Sequence, residues 1–337
     1  MKHSERLAAF AALGQRLASL TPDEIYQLAA RARNQNAWFD EPSVAAAMAG
    51  LAHMLAEEPL RHWAARYPAE PTTVHQIGVV MAGNIPMVGF HDMLCVLLSG
   101  HVLLAKLSAD DTVLMTWLMD ELTRLEPRFA DYIKVLPRLN AADAFIATGS
   151  DNTARYFEFY FGTKPHLIRR NRTSVGILTG SETSEELARL GPDIFQYYGL
   201  GCRNVSKLFV PTEYDFVPLL DALQPHEGVL NHHKYNNNYD YNKSILLVNR
   251  VQHFDNGFLL LRPSPLLVSS ISVVHYAEYT SEIDLVDQLT DIAAQTQCVV
   301  SAGARFAGSL PFGQAQSPGV DEYADRVDTM EFLAQLP

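Results

Sequence analysis

Short apolar segments alternating with helical patterns constrain this chain more than any other feature. Gln76-Ile77-Gly78-Val79-Val80-Met81 reads as a buried strand closed by the turn Ala82-Gly83-Asn84-Ile85-Pro86, and a helical pattern then runs through Leu98 to a stop at Gly100. His101-Val102-Leu103-Leu104-Ala105-Lys106-Leu107 predicts a second strand, Asp110-Asp111-Thr112 caps a helix ending about Leu125, and residues 132–136 and 144–147 predict two further strands. Strands and helices in this alternation specify an α/β fold whose mostly parallel sheet is covered on both faces.

Residues 1–66 carry helical spacing, with Thr21 as N-cap, Pro22 at the first helical position and an acidic first turn. After Asn171 the α/β rhythm returns: a strand over 174–178, helix over 184–198, a strand over 206–210 and a helix over 214–223. Residues 231–242, rich in asparagine and tyrosine, read as a polar loop; strands are expected over Ile245–Val248 and Leu266–Val274, and a helix near 281–296. These patterns suggest three parts: residues 1–170 with helices and a nucleotide-binding sheet, 171–320 as a second α/β domain, and 321–337 as a C-terminal tail.

The bulk numbers exclude several classes of function. The formal charge of −12 opposes a nucleic-acid partner, and the densest basic run, Arg169-Arg170-Asn171-Arg172, is too short for a polyanion track and equally suits a solvated surface cluster. Cysteines 95, 202 and 298 are too few and too unevenly spaced for a disulfide framework, which suits a reducing compartment such as the cytoplasm. Met1-Lys2-His3-Ser4-Glu5-Arg6 leads into a charged helix rather than a signal peptide, and no apolar run is long enough to span a membrane. His232-His233 lacks a third ligand at helical spacing, so no metal site is expected. A homodimer is compatible with the sequence.

Cys202 is the leading candidate for chemistry. It follows Gly199-Leu200-Gly201 and precedes Arg203-Asn204-Val205-Ser206-Lys207 and an apolar strand, whereas Cys95 lies inside an apolar helical run. Flanking glycines allow close backbone approach to a ligand, and Arg203 and Lys207 would favour the thiolate if they lay within a few ångströms of it. Thr148-Gly149-Ser150 joins a strand to a helix, where backbone N–H groups and the helix end suit a phosphate, although such turns are common structural junctions. Lys106 ends a strand, where ligands gather in open α/β sheets, or is simply a surface lysine after an edge strand. Asn84 is either a turn residue or an amide donor into the same cleft.

In order and spacing these pieces resemble the aldehyde dehydrogenase superfamily: Asn84-Ile85-Pro86, then Ser99 through Lys106-Leu107-Ser108, then Ala147-Thr148-Gly149-Ser150, then Gly199 to Cys202, and finally Leu310-Pro311-Phe312-Gly313. The resemblance runs over roughly residues 70–335 and is strongest to the fatty acyl-CoA reductases of bacterial luminescence operons, through Arg170-Asn171-Arg172-Thr173-Ser174-Val175 and Cys202-Arg203-Asn204-Val205-Ser206. It implies a parallel-sheet dinucleotide-binding domain and a catalytic domain. Cys202 would accept the acyl group, and Asn84 would donate to the oxyanion beside the Cys202 backbone N–H. Lys106 and Ser108 would hold the adenosine ribose or its phosphate, and Gly149 and Ser150 the pyrophosphate.

Three departures sharpen the expectation. The superfamily's general-base glutamate is replaced by the carboxylate-free Arg169-Arg170-Asn171-Arg172-Thr173, which suits discharge of a thioester by hydride rather than by activated water. Ala109 stands where an acidic residue would pair with a ribose hydroxyl, which favours NADPH. The segment that usually touches the nicotinamide ribose is replaced by Leu261-Arg262-Pro263-Ser264-Pro265. The expected activity is NADPH-dependent reduction of an acyl-CoA to an aldehyde through an acyl-cysteine. The alternatives are a reductase of acyl phosphates, with Arg169, Arg170 and Arg172 recognising phosphate or carboxylate, and a non-catalytic subunit that keeps the fold to bind a partner.

Overall fold

The computed structural model describes residues 1–149 and 151–337, with the side chains of 151–154 left aside. Four helices come first: α1 (His3–Ala18), α2 (Pro22–Gln35), α3 (Glu41–Met54) and α4 (Glu57–Ala64). Thr21 caps α2 through a reciprocal pair with Glu24, satisfying two otherwise open N–H groups. Phe10, Leu13 and Leu17 form the buried stripe of α1, the 3–4-residue spacing of a core-facing helix. Then follow β1 (Gln76–Val80), α5 (Phe90–Leu98), β2 (Val102–Lys106), α6 (Thr112–Leu125), β3 (Ile133–Val135), β4 (Ala144–Thr148), α7 (Asp151–Phe161) and β5 (His166–Arg169). Onward run β6 (Thr173–Ile177), α8 (Ser184–Phe195), β7 (Val205–Pro211), α9 (Val217–Ala222), α10 (His233–Val248), β8 (Phe254–Asp255), β9 (Leu260–Pro263), β10 (Val273–Tyr279), α11 (Glu282–Ile292), β11 (Thr296–Ser301), β12 (Leu310–Pro311) and α12 (Thr329–Ala334).

The chain forms two compact units: Met1–Asn171 with Pro318–Pro337, and Arg172–Ser317. In the first, a parallel five-stranded sheet has the order β3-β2-β1-β4-β5. Its C-terminal stretch is anchored by hydrogen bonds, the Trp63 indole donating to the Tyr323 hydroxyl (2.8 Å) and the Tyr67 hydroxyl to Asp328 (2.6 Å). In the second, seven strands run in the order β12-β11-β6-β7-β10-β9-β8, parallel except for the β8–β9 pair. Among the described residues, no helix is long and apolar enough to cross a membrane.

Three expectations change. The polar loop at 231–242 and the strand at 245–248 are one helix, α10. Asparagine and tyrosine are weak helix formers, but Tyr235, Tyr239 and Leu246 are buried, and packing overrides propensity. The Tyr235 hydroxyl donates to the Phe258 carbonyl (3.0 Å) and the Tyr239 hydroxyl to Asp255 (2.7 Å). The strand expected at 266–274 begins at Val273, because the carbonyls of 265–267 are taken by side chains described below. Arg169 is no surface residue: it is buried, its Nη1 lies 2.6 Å from both oxygens of Asp92, and Nη2 donates to the Thr329 hydroxyl (2.6 Å). Arg170 does stay exposed, paired with Glu158.

Candidate active site

In the first unit the chain moves outward from β1 to β2 and β3 on one side, then returns to β4 and β5 on the other, so β1 and β4 flank a topological switch point. Ligands of open α/β sheets bind outside the strand carboxyl ends at such a point. The register pairs Val80 with Lys106 and with Ala147, which brings the turns after β1, β2 and β4 to one edge. Asn84 is exposed in the first turn, Lys106 is exposed at the end of β2, and Gly149 follows β4. Lys106 therefore lies on an interior strand, not an edge one. Ser108 caps the short helical turn 109–111 by accepting the Asp110 N–H (3.2 Å), which leaves its hydroxyl hydrogen able to donate. Gly83 is required here, since a Cβ would stand 2.6 Å from the Ser108 Oγ. The Gly149 N–H donates to the Arg169 carbonyl (3.2 Å) and extends the β4–β5 ladder, so that amide is not open to a phosphate; what Gly149 offers is the lack of a side chain. Ser150 lies outside the described residues.

Asp111 is the residue of this edge that the sequence did not single out for chemistry. Its side chain is buried; one oxygen accepts the Met87 N–H (2.6 Å) and the other has no hydrogen-bond partner. Met87 has φ 57°, a left-handed conformation uncommon for a side-chain-bearing residue. The Asp111 side chain thus pins the left-handed end of the turn that carries Asn84. Burial pushes the Asp111 carboxyl up to about 8, against the opposing hydrogen bond from Met87.

In the second unit Cys202 is half-buried between α8 and β7. The approach is sharply bent: Tyr197, Tyr198 and Gly199 are all left-handed, with φ 53°, 58° and 79°. Asn204, 2% exposed, holds the bend by accepting the Gly201 N–H (2.8 Å) and donating to the Gln196 carbonyl (2.9 Å). The Ser174 hydroxyl donates to the Cys202 carbonyl (3.1 Å) and meets the Cys298 sulfur at 2.9 Å. Tyr198 packs against His232, with ring centroids 4.4 Å apart. Arg203 donates to the Ala315 carbonyl (3.2 Å). Lys207 is buried, which lowers its pKa, and its ammonium donates to the Pro265 carbonyl (3.2 Å).

The backbone that follows β9 is held by the same row of side chains. His275 stands in register with Lys207 and with Arg262 across β7, β10 and β9. Lys207 takes the carbonyl of Pro265, His275 Nδ1 that of Leu266 (3.1 Å), and Ser206 that of Leu267 (2.8 Å). Side chains, not a ladder, satisfy this stretch of backbone. Asp193 is buried; its oxygens accept the N–H groups of Gly313 (2.6 Å) and Ala315 (3.0 Å). Burial pushes its carboxyl up to about 6 despite those two bonds, and with both oxygens occupied it is not positioned to activate water.

The first unit thus gathers Asn84, Lys106, Ser108 and Gly149 at one sheet edge, and the second carries Cys202. Asp111, Asp193 and Asn204 escaped notice as site residues. Asn204 alone had a local signal, two residues after the thiol in a glycine-led turn.

Solved structures place the fold. A putative aldehyde dehydrogenase from Burkholderia cenocepacia matches 89% of this chain and 74% of its own at 16% identity and a TM-score of 0.64. The NAD+ complex of an aldehyde dehydrogenase from Bacillus cereus matches 89% and 72% at 13% identity and TM-score 0.61. An NADP-dependent enzyme of E. coli matches 94% and 76% at 12% identity and TM-score 0.67. The chain has the aldehyde dehydrogenase fold. Within it, residues 52–213, just under half of the chain, match the model of the acyl-CoA reductase (LuxC) family. That stretch holds Asn84, Lys106, Ser108, Gly149 and Cys202 together. Residues 52–213 are thus similar to the acyl-CoA reductase (LuxC) family, within a chain that has the aldehyde dehydrogenase fold. No curated protein matches the chain.

Proposed function

We propose that this protein is an NADPH-dependent acyl-CoA reductase working through an acyl-Cys202 intermediate. The Cys202 thiolate attacks the acyl carbonyl, and the oxyanion is met by the Cys202 N–H and the Asn84 amide. The carbon–sulfur bond to CoA breaks, free CoA leaves, and the acyl group stays on Cys202. A nicotinamide cofactor held at the first unit's sheet edge by Lys106 and Ser108 would supply hydride for reduction of the acyl-Cys202 thioester, and Cys202 would then leave as the thiolate when the aldehyde forms. The first unit's sheet edge fits such a cofactor: Lys106 and Ser108 offer donors, and Gly83 leaves backbone open beside Ser108. Ala109 places no charge against a 2′-phosphate, which supports NADPH over NADH. A cytoplasmic location and a homodimer belong to the same proposal.

One observation carries the choice of reduction over hydrolysis: no carboxylate lies in 169–173, and the buried carboxylate nearest Cys202 in sequence, Asp193, has both oxygens occupied. The acyl-phosphate alternative loses support because Arg169 is buried against Asp92 and Arg170 is paired with Glu158. Intact-protein mass spectrometry after mixing with acyl-CoA tests the proposal. The acyl adduct should map to Cys202, persist for minutes in buffer and disappear on addition of NADPH. Rapid release of free acid in buffer alone would place the protein among hydrolytic dehydrogenases.

A further inference from the structure

Cys202 sits in a closed circuit of hydrogen bonds. The Asn204 side chain accepts the Gly201 N–H and donates toward the carbonyls of Asp193 (3.1 Å), Ile194 (3.4 Å) and Gln196 (2.9 Å), which the end of α8 leaves open. The Asp193 carboxylate holds the N–H groups of Gly313 and Ala315, and the Ala315 carbonyl receives Arg203, the residue next to the thiol. A buried amide and a buried carboxylate are costly to desolvate, and here each Asp193 oxygen accepts an N–H and the Asn204 amide both accepts and donates.

The geometry has a direct consequence for the oxyanion. The Gly201 carbonyl accepts the Asn204 backbone N–H (3.1 Å). Across a planar trans peptide the N–H points opposite to the C=O, so this bond fixes the direction of the Cys202 N–H. The Ser174 hydroxyl fixes the following peptide through the Cys202 carbonyl. Asn204 thereby orients the peptide on which the proposed oxyanion donor sits through its backbone N–H, while its side chain fixes the preceding peptide through the Gly201 N–H and ties both to the end of α8.

We propose that Asn204 and Asp193 are positioning residues for acyl transfer to Cys202: Asn204 aims the Cys202 N–H, and Asp193 holds the 313–315 turn that anchors Arg203. The inference rests on Cys202 being the acyl-accepting nucleophile. Two reactions of the full chain separate the effects, transfer from octanoyl-CoA, which forms an oxyanion, and alkylation by iodoacetamide, which forms none. In Asn204→Asp, octanoyl transfer should slow ten- to a hundredfold while Cys202 alkylation slows less than threefold. Asn204→Ala should do the same, and Asp193→Asn should slow acyl transfer three- to tenfold. Circular dichroism identical to the parent chain keeps each comparison valid, and the near-isosteric Asp and Asn variants guard against misfolding of the alanine one. Normal acyl transfer in a folded Asn204→Asp chain would overturn the proposal, as would equal slowing of both reactions. Failure of the nucleophile assignment has a different signature: the Cys202→Ala chain would still gain the octanoyl mass, or the parent chain would never gain it.

Discussion

The turn after β1 and the loop before β7 present their proposed catalytic groups in different ways. Asn84 rides on a turn pinned at Met87 by one oxygen of Asp111, whose other oxygen is buried without a partner. Cys202 rides on a loop in which the Asn204 amide and the Asp193 carboxylate use every oxygen. Both carboxylates are raised by burial, but Asp193 receives two backbone N–H bonds and titrates at about 6, while Asp111 receives one and titrates at about 8. Burial is the larger cause at both carboxyls, and the second N–H bond at Asp193 opposes it further.

The largest effect separates the two regions by role. Cys202→Ala should abolish both the acyl adduct and aldehyde production while cofactor binding persists, measured by intact mass, aldehyde assay and fluorescence titration. More than a few per cent of parent activity would remove this cysteine from the mechanism. Asn84→Ala comes next, lowering acylation by roughly a hundredfold to a thousandfold, the usual cost of one oxyanion donor. Cofactor affinity should stay nearly constant, and a large loss of it with normal acylation would move Asn84 to the nucleotide site.

The third prediction concerns the anchors. The Asp111 carboxyl is raised in the folded state above its unfolded value of about 3.9, so its stabilising contribution is full below that value and lost as pH rises through about 8. The slope is at most about 1.4 kcal/mol per pH unit. The melting temperature should therefore fall between about pH 5 and 8 in the parent chain and fall less in Asp111→Asn, which mimics the protonated acid. Parallel curves would show that Asp111 does not titrate in this window. The smallest effect is expected from Ala109→Glu, which should shift cofactor preference from NADPH toward NADH by about tenfold at a solvated edge, read from the two dissociation constants. No shift would place the 2′-phosphate elsewhere.

Local pattern was enough for much of this. The strands at 76–80, 102–106, 133–135, 144–148 and 205–211 follow the apolar runs. Periodicity works there because each strand's burial is written within its own few residues. It failed at α10, where Tyr235 and Tyr239 supply the buried face that a composition of asparagines conceals.

The amino-acid order by itself determined the alternation of strand and helix, the two α/β units and the cysteine between glycine and strand. Only the tertiary structure decided which polar residues go inside. Arg169 reads as part of a basic run until Asp92, 77 residues away, takes its guanidinium. Asp193, which carried no signal in the sequence, is buried where Gly313, 120 residues on, donates to it. A buried charge survives only if a partner meets it, and that partner is chosen by the fold rather than by the neighbours in the chain.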